Sequence, residues 1–431
     1  MIRSQKSLRL WVVNFQIQIR NLAGTGILLL SASSSWQIQS ASRRPKKVEK
    51  RFSRGDSFVH CFRGIEREDE IGKKSSYYDR LGYWDSKYTE INLDESVRHG
   101  VLIPKIPIED IGVESLKGRR RKQEDRFLIE KMSENTVLVA VFDGHGNDLC
   151  ATYARDNFTR FLQRNLKRKL KMPAALKKTI TDVDQAFSEL AIAHSNTPED
   201  FYEDKSMRGH SEQKQRMERD PAKSGSTCTA VVIEDGYVMT WAWVGDSRAI
   251  LCRNGVPKRL TFDHSLEMRN NPLRETEFER ITAAGAEVTE SDGEYRVHVP
   301  EHGSINMTRA IGDIQLKKYG ITAEPCSYEE LPIGDPDYAR ITTVNHNCDA
   351  FLVLLSDGVS GPLSVNEIVS QVLSRDQAIE SARHLVETAL HMGSTDNCTA
   401  IVVPLGAWGK YREPSSNVRY LRNFIGSYNR Y

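Results

Sequence analysis

Acidic residues recur in this 431-residue chain at the ends of short apolar runs. The run 137–142 leads into Asp143-Gly144-His145-Gly146, and 237–244 leads into Gly245-Asp246-Ser247-Arg248. The run 351–355 leads into Ser356-Asp357-Gly358, while Thr395-Asp396-Asn397 stand just ahead of 399–403. Upstream, Glu124-Asp125 follow a basic cluster of Lys117, Arg119, Arg120, Arg121 and Lys122. A strand end holds its side chain rigidly, so acids at several ends can share one cleft. Clustered carboxylates raise one another's pKa unless cations lie among them. An all-oxygen donor set suits Mg²⁺ or Mn²⁺ rather than zinc. Glycine lets the backbone approach a metal closely, so the Gly144 carbonyl can join the Asp143 carboxylate as a ligand. Taken singly, each feature has a plain explanation. Asp-Gly is a common turn dipeptide, Asp246 can pair with Arg248, and His145 can be a packed histidine. The signal is the set.

Strands must deliver these acids. Runs rich in Val and Ile, bounded by turn residues, predict strands at 137–142, 228–233, 237–244, 249–252, 351–355 and 399–403. Glu234-Asp235-Gly236 and Arg253-Asn254-Gly255 have the composition of hairpin turns. Helical periodicity covers roughly 173–193, 274–284, 366–373 and 376–391. Strand follows strand without an intervening helix, which favours an antiparallel α+β arrangement over a parallel sheet.

The net charge of +2 is an average over unlike parts. Residues 1–54 hold eleven Lys/Arg and one acid, Glu49, a net of +10, leaving −8 on the other 377 residues. That balance excludes a strongly basic nucleic-acid binder. An Arg-rich, Ser-rich, almost acid-free leader has the composition of a mitochondrial transit peptide. Its longest aliphatic run, 27–30, falls far short of the ~20 residues that span a bilayer, so no transmembrane segment is expected. Residues 55–100 are polar and charged and read as a linker and N-terminal extension. Residues 195–224 contain seven acids and six bases but no Val, Ile or Leu, and are expected to be a solvated loop insertion. The seven cysteines are scattered, without a Cys-x-x-Cys pair, which fits neither a disulfide framework nor a zinc site.

The ordered set resembles a known family. Arg120-x-x-x-Glu124-Asp125, Asp143-Gly144-His145-Gly146, Ser224-Gly225-Ser226-Thr227, Val244-Gly245-Asp246-Ser247-Arg248, Met307 to Asp313, Ser356-Asp357-Gly358 and Asp396-Asn397 look like the signature blocks of the metal-dependent type 2C protein phosphatases. They fall in that family's order, across about residues 107–405. The resemblance implies an α+β sandwich of two mainly antiparallel sheets flanked by helices, in α-β-β-α layers, over a domain at 101–412, with 413–431 as a C-terminal tail. It implies hydrolysis of phosphoserine and phosphothreonine by water activated between two Mn²⁺ or Mg²⁺ ions. Asp143 would bridge the metals. Asp357 and Asp396 would complete one of them, and the Gly144 carbonyl with Glu124 and Asp125 would serve the other, partly through water. Asp246 would be the ligand of a weakly held third metal. Arg120 would hold phosphate oxygens, and His145 would protonate the leaving alkoxide.

The sequence departs from the family pattern at Asn147, where a small residue is usual and where tolerance of positive φ would preserve the turn. A second departure is Ile305-Asn306, which puts a polar side chain where packing is expected. A third is Val359-Ser360-Gly361, where an aromatic and another Asp are common, and this weakens the third-metal role of Asp246. Pro104-Lys105-Ile106-Pro107, Trp84-Asp85 and the ending 401–411 resemble the mitochondrial branch of the family. That branch implies a matrix enzyme acting on the branched-chain 2-oxo acid dehydrogenase complex, through the α subunit of its decarboxylase component.

Two other functions compete. His60-Cys61-Phe62-Arg63-Gly64-Ile65-Glu66-Arg67 matches in letters the thiolate loop of cysteine-dependent phosphatases. It lacks a strand to feed it, and Glu68, Asp69 and Glu70 follow where an anion should be welcomed. A catalytically inactive, phosphoprotein-binding scaffold is the other, and its mark would be a lost acid. Every acid of the set is present.

Overall fold

The strands at 136–142, 228–234, 349–355 and 398–404 bury both faces, which is why they read as near-continuous apolar runs rather than alternating ones. The computed structural model describes residues 90–195, 220–267, 271–291, 294–300, 303–335 and 338–411. The leader, the Cys61 loop, most of the 195–224 stretch and the 413–431 tail lie outside the described residues.

Two five-stranded sheets carry the architecture. One runs in the order β1 (Gly112–Leu116), β16 (Cys398–Pro404), β15 (Asp349–Leu355), β8 (Arg248–Arg253), β9 (Val256–Arg259). The other runs β14 (Cys326–Ser327), β7 (Val238–Val244), β6 (Cys228–Glu234), β3 (Thr136–Phe142), β2 (Arg126–Ser133). Neighbours within both sheets are antiparallel. The two-residue period of a strand sorts each side chain to one face. On β3, Val137, Val139 and Val141 enter the core between the sheets, where Leu352 and Leu354 of β15 meet them. Leu138, Ala140 and Phe142 point the other way, against α2 (Leu149–Lys167) and α3 (Met172–Ser195). On β15, Phe351, Val353 and Leu355 pack on α7 (Val365–Leu373) and α8 (Ala378–His391). The layers are therefore α-β-β-α, as expected. Fully burying a side chain such as Phe351 contributes roughly 1.5–3 kcal/mol.

Both expected hairpin turns form with two consecutive left-handed residues, Asp235-Gly236 (φ 56 and 69) and Asn254-Gly255 (φ 57 and 75). This geometry matches strand twist. Two small three-stranded sheets complete the described residues. One is β10 (Glu287–Ser291), β11 (Glu294–Val299) and β12 (Gly303–Ile305), beside α4 (Arg274–Ala283). The other runs β13 (Ile311–Gly312), β5 (Gly225–Ser226), β4 (Gly144–His145). The remaining helices are α1 (Leu93–His99), α5 (Ile314–Lys317) and α6 (Asp357–Ser360).

The structure revises three expectations. Residues 93–99, within the expected linker, form α1, whose His99 ring stacks on Tyr237 at 4.0 Å. Residues 220–224, assigned by composition to the solvated insertion, instead pack into the fold. Pro221, Ala222 and Ser224 are buried, and the Ser224 hydroxyl accepts from Cys150 N and donates to Asn147 O. Helix α2 escaped the periodicity reading, because three of its seven buried residues are small, Cys150, Ala151 and Ala154.

Candidate active site

Strand direction brings the acids together. Arg126 pairs with Phe142, so Asp125 before β2 and Asp143 after β3 lie at the same end of one sheet. Leu355 pairs with both Arg248 and Ala400, so Asp357 after β15, Asp246 before β8 and Asp396 before β16 share one end of the other. The two ends meet: Asp357 N donates to Asp143 Oδ2 at 3.3 Å, and Ser356 and Thr399 hydroxyls donate to Asp125 Oδ2 at 2.8 and 2.6 Å.

Electrostatics record the crowding. Burial raises the Asp143 carboxyl well above the ordinary value, and Asp125, Asp357, Asp246 and Asp396 push it further the same way. Burial lifts Asp125 to about 6 against the opposing Thr399 and Ser356 hydroxyls. Burial, followed by Asp357 and Asp263, lifts Asp246 to about 8. Asp357 is raised by burial and then by Asp396, and Glu124 by burial against the pull of Arg120. Like charges held this close favour added cations.

The donor chemistry fits hard divalent ions. Asp125 Oδ1 and Asp246 Oδ1 are buried without a hydrogen-bond partner, and a buried acceptor left so is costly. Among the described residues no three acidic or histidine side chains are gathered closely enough to hold a metal outright. Oxygen chemistry and mutual repulsion, rather than a finished cage, therefore make the fit.

Glycines set the close approaches. A Cβ on Gly144 would lie 2.5 Å from the Glu124 carbonyl oxygen, and one on Gly358 would lie 1.9 Å from that of Asn397. Arg120 stands at the rim, 57% exposed, its Nη2 donating to Asp396 Oδ2 at 2.5 Å. The expected Asp246–Arg248 pair does not form as a direct bond. Arg248 instead grips Asp263 through Nε and Nη2, at 2.9 and 2.6 Å, and donates Nη1 to Ser360 O. Asn147 is buried, and its side chain, not a positive φ, holds the turn: Nδ2 donates to Asp220 O and Oδ1 accepts from Leu149 N. Asn306 is exposed, so its polarity costs no packing.

Two residues of the expected blocks acquire contacts that sequence alone does not reveal. Asn397 Nδ2 donates to the carbonyls of Lys117 and Lys122, tying down the basic loop. Asp313, 4% exposed, accepts from His145 Nε2 at 2.7 Å. The carboxylate has no proton to give, so Nε2 is the donor. Burial opposes a charge on His145, yet Asp313, then Asp246 and Glu124, lift its pKa above the ordinary value. The linear signal for Asp313 is only an Ile-Gly-Asp turn.

Residues 109–398 match the family profile described as Protein phosphatase 2C, a family of metal-dependent protein serine/threonine phosphatases. The chain belongs to that Mn²⁺/Mg²⁺-dependent family. It is similar to "Protein phosphatase 1K, mitochondrial" of Xenopus laevis, 32% identical over 361 residues, covering 83% of this chain and 85% of that one. It is also similar to "Probable protein phosphatase 2C member 13, mitochondrial" of Oryza sativa subsp. japonica, 35% identical over 295 residues, 68% of this chain and 67% of that one. Among solved structures it shares its fold with serine-threonine phosphatase 2C from Toxoplasma gondii, with a TM-score of 0.51, 18% identity and coverage of 68% and 94%. It shares it also with a C. elegans sex determining protein, with a TM-score of 0.52, 24% identity and coverage of 71% and 66%.

Proposed function

We propose that this phosphatase works through a binuclear centre at the strand-end rim. Asp143 would be shared by two Mn²⁺ or Mg²⁺ ions, Asp357 and Asp396 would help hold one, and Glu124, Asp125 and the Gly144 carbonyl would help hold the other. Asp246 would be a weaker ligand for a third. When bound, such ions neutralise phosphate charge and lower the pKa of water. Arg120 binds phosphate oxygens, since the single nitrogen engaged with Asp396 leaves other donors of its planar fork for them. His145 supplies the proton that the departing seryl or threonyl oxygen requires. The observation that carries this reading is the convergence of Asp143, Asp125, Asp357 and Asp246 where the two sheet ends meet, with burial first and neighbouring carboxylates second raising their pKa values.

The substrate is a phosphoprotein. We further infer work in the mitochondrial matrix on the α subunit of the decarboxylase component of the branched-chain 2-oxo acid dehydrogenase complex. The leader 1–54, whose one acid is Glu49, the resemblance of 104–107 and 401–411 to the mitochondrial branch, and two relatives named mitochondrial support it. Among the described residues no helix is long and apolar enough to cross a membrane. The domain boundaries we propose are leader 1–54, extension 55–100, phosphatase domain 101–412 with the inserted stretch reduced to 196–219, and tail 413–431. The test is phosphate release from the phosphorylated complex by the purified protein, with Mn²⁺ and with EDTA. Release with Mn²⁺ and none with EDTA is expected, and failure on the complex beside activity on a generic phosphopeptide would remove the substrate assignment alone.

A further inference from the structure

His145 and Asp313 lie 168 residues apart in sequence and meet across one glycine. In the β13-β5-β4 sheet, Gly225 is the register partner of both His145 and Gly312. A Cβ on Gly225 would sit 2.2 Å from His145 Nε2 and 2.4 Å from Asp313 Oδ2, so only glycine leaves room for the bond. The far side of the contact is anchored as firmly. Asp313 takes the left-handed conformation, φ 50, and its N–H donates to Ser224 O at 3.0 Å. Gly312 N donates at 2.8 Å to Asp184 Oδ1 on α3. The same oxygen accepts from Lys317 Nζ at 2.9 Å, and Lys317 Nζ also donates to Ala310 O. The carboxylate that meets His145 is therefore fixed from both sheet and helix. The second imidazole nitrogen, Nδ1, is buried without a partner.

We propose that Asp313 is a positioning residue of the phosphatase reaction. By accepting the Nε2 proton it fixes the ring and leaves Nδ1 to serve the departing oxygen. This rests on the reading of His145 as the acid. In that step the ester P–O bond breaks and its electron pair stays on the seryl or threonyl oxygen. That oxygen takes the Nδ1 proton, giving the alcohol and a neutral imidazole still donating Nε2–H to Asp313. Asp313 touches neither substrate nor metal; it acts through the ring, as the orienting third member of a catalytic relay does.

Leaving groups separate this role from a merely structural one. Threonyl alkoxide cannot leave without a proton, whereas p-nitrophenolate can. Asp313→Asn keeps the volume and tolerates positive φ. With saturating Mn²⁺, it should lower kcat on a phosphothreonyl peptide by about 10²-fold with KM little changed, and lower kcat on p-nitrophenyl phosphate by less than about threefold. Asp184→Asn, which leaves both partners intact, should show the same imbalance at roughly tenfold, and it carries the test alone if Asp313→Asn fails to fold. Equal losses on both substrates, or an unchanged rate on the peptide, would overturn the inference. His145→Gln is measured alongside. If it shows no imbalance, the acid role itself has failed; if it shows one and the aspartate variants do not, only the positioning role has.

Discussion

Asn397 Oδ1 accepts the backbone N–H of Glu124 at 2.8 Å, joining the start of β16 to the loop that brings Glu124, Asp125 and Arg120 to the rim. Together with its bonds to Lys117 O and Lys122 O at 2.8 and 2.9 Å, this amide makes the 117–124 loop a fixed part of the site. Outer partners of this kind orient ligands without touching the metal. Asn397→Ala should leave the protein folded but raise the Mn²⁺ concentration for half-maximal activity by roughly 10- to 100-fold. A manganese titration of phosphatase activity reads this directly, and an unchanged midpoint would show that the loop holds itself.

Gly358 is required by space. Its α-carbon lies under the Asn397 carbonyl, where a methyl would meet oxygen at 1.9 Å and the Asp396 Cβ at 3.2 Å. The Asn397 backbone and the adjacent Asp396 side chain cannot move independently. Gly358→Ala should cost about 3 kcal/mol and lower the denaturant midpoint. A loss of under ~1 kcal/mol would mean that α6 shifts freely.

Acid should weaken the fold through His346. Its Nδ1 accepts from Gly406 N at 3.0 Å while Nε2 donates to Gly236 O at 2.6 Å, so the neutral ring is the one that fits. Burial pushes its pKa down to about 4, with the Gly236 carbonyl only partly opposing. The unfolded chain therefore binds this proton first. The contribution is complete above about 6.5, the unfolded value, and is lost as pH falls toward 4. Stability measured by urea titration should drop by roughly 2–4 kcal/mol across that window. In His346→Gln the slope should flatten.

A buried ion network stabilises the Met307–Arg309 segment. Burial would raise the Glu277 carboxyl, but Arg280, Arg309 and Thr308 outweigh it and hold the pKa down to about 2. Arg309 meets it through Nη2 at 2.6 Å. Glu277→Ala strands Arg309, 8% exposed, beside the sulfur of Cys326, and should cost about 3–5 kcal/mol by thermal or urea unfolding. Double replacement with Arg309→Met should recover part of that loss.

Much of this protein was legible in its sequence, for physical reasons. Strands buried on both faces leave no polar alternation, so 137–142 and 351–355 stood out as apolar blocks, and Asn254-Gly255 announced its turn. Helix α2 did not, because alanine and cysteine carry little hydrophobic contrast. Strand β10 lacked an apolar signature: Glu287, Thr289, Glu290 and Ser291 face solvent. The rim acids were legible because each sits beside one end of a strand. Asp313 was not, since its importance arises only when β13 pairs beside Gly225, a relation between segments 80 residues or more apart. Asp263 was missed for a similar reason, with Arg248 reaching it across a hairpin.

The central claim is that acids delivered by separate strands form one metal-dependent hydrolytic centre. Phosphate release from a phosphothreonyl peptide, measured for the wild-type chain, Asp143→Asn and Asp357→Asn with Mn²⁺ and with EDTA, tests it most directly. The expected result is activity in the wild type alone, abolished by EDTA and restored by Mn²⁺, with both variants folded and silent. Retention of more than a few per cent of activity in either folded variant, or in EDTA, would contradict it.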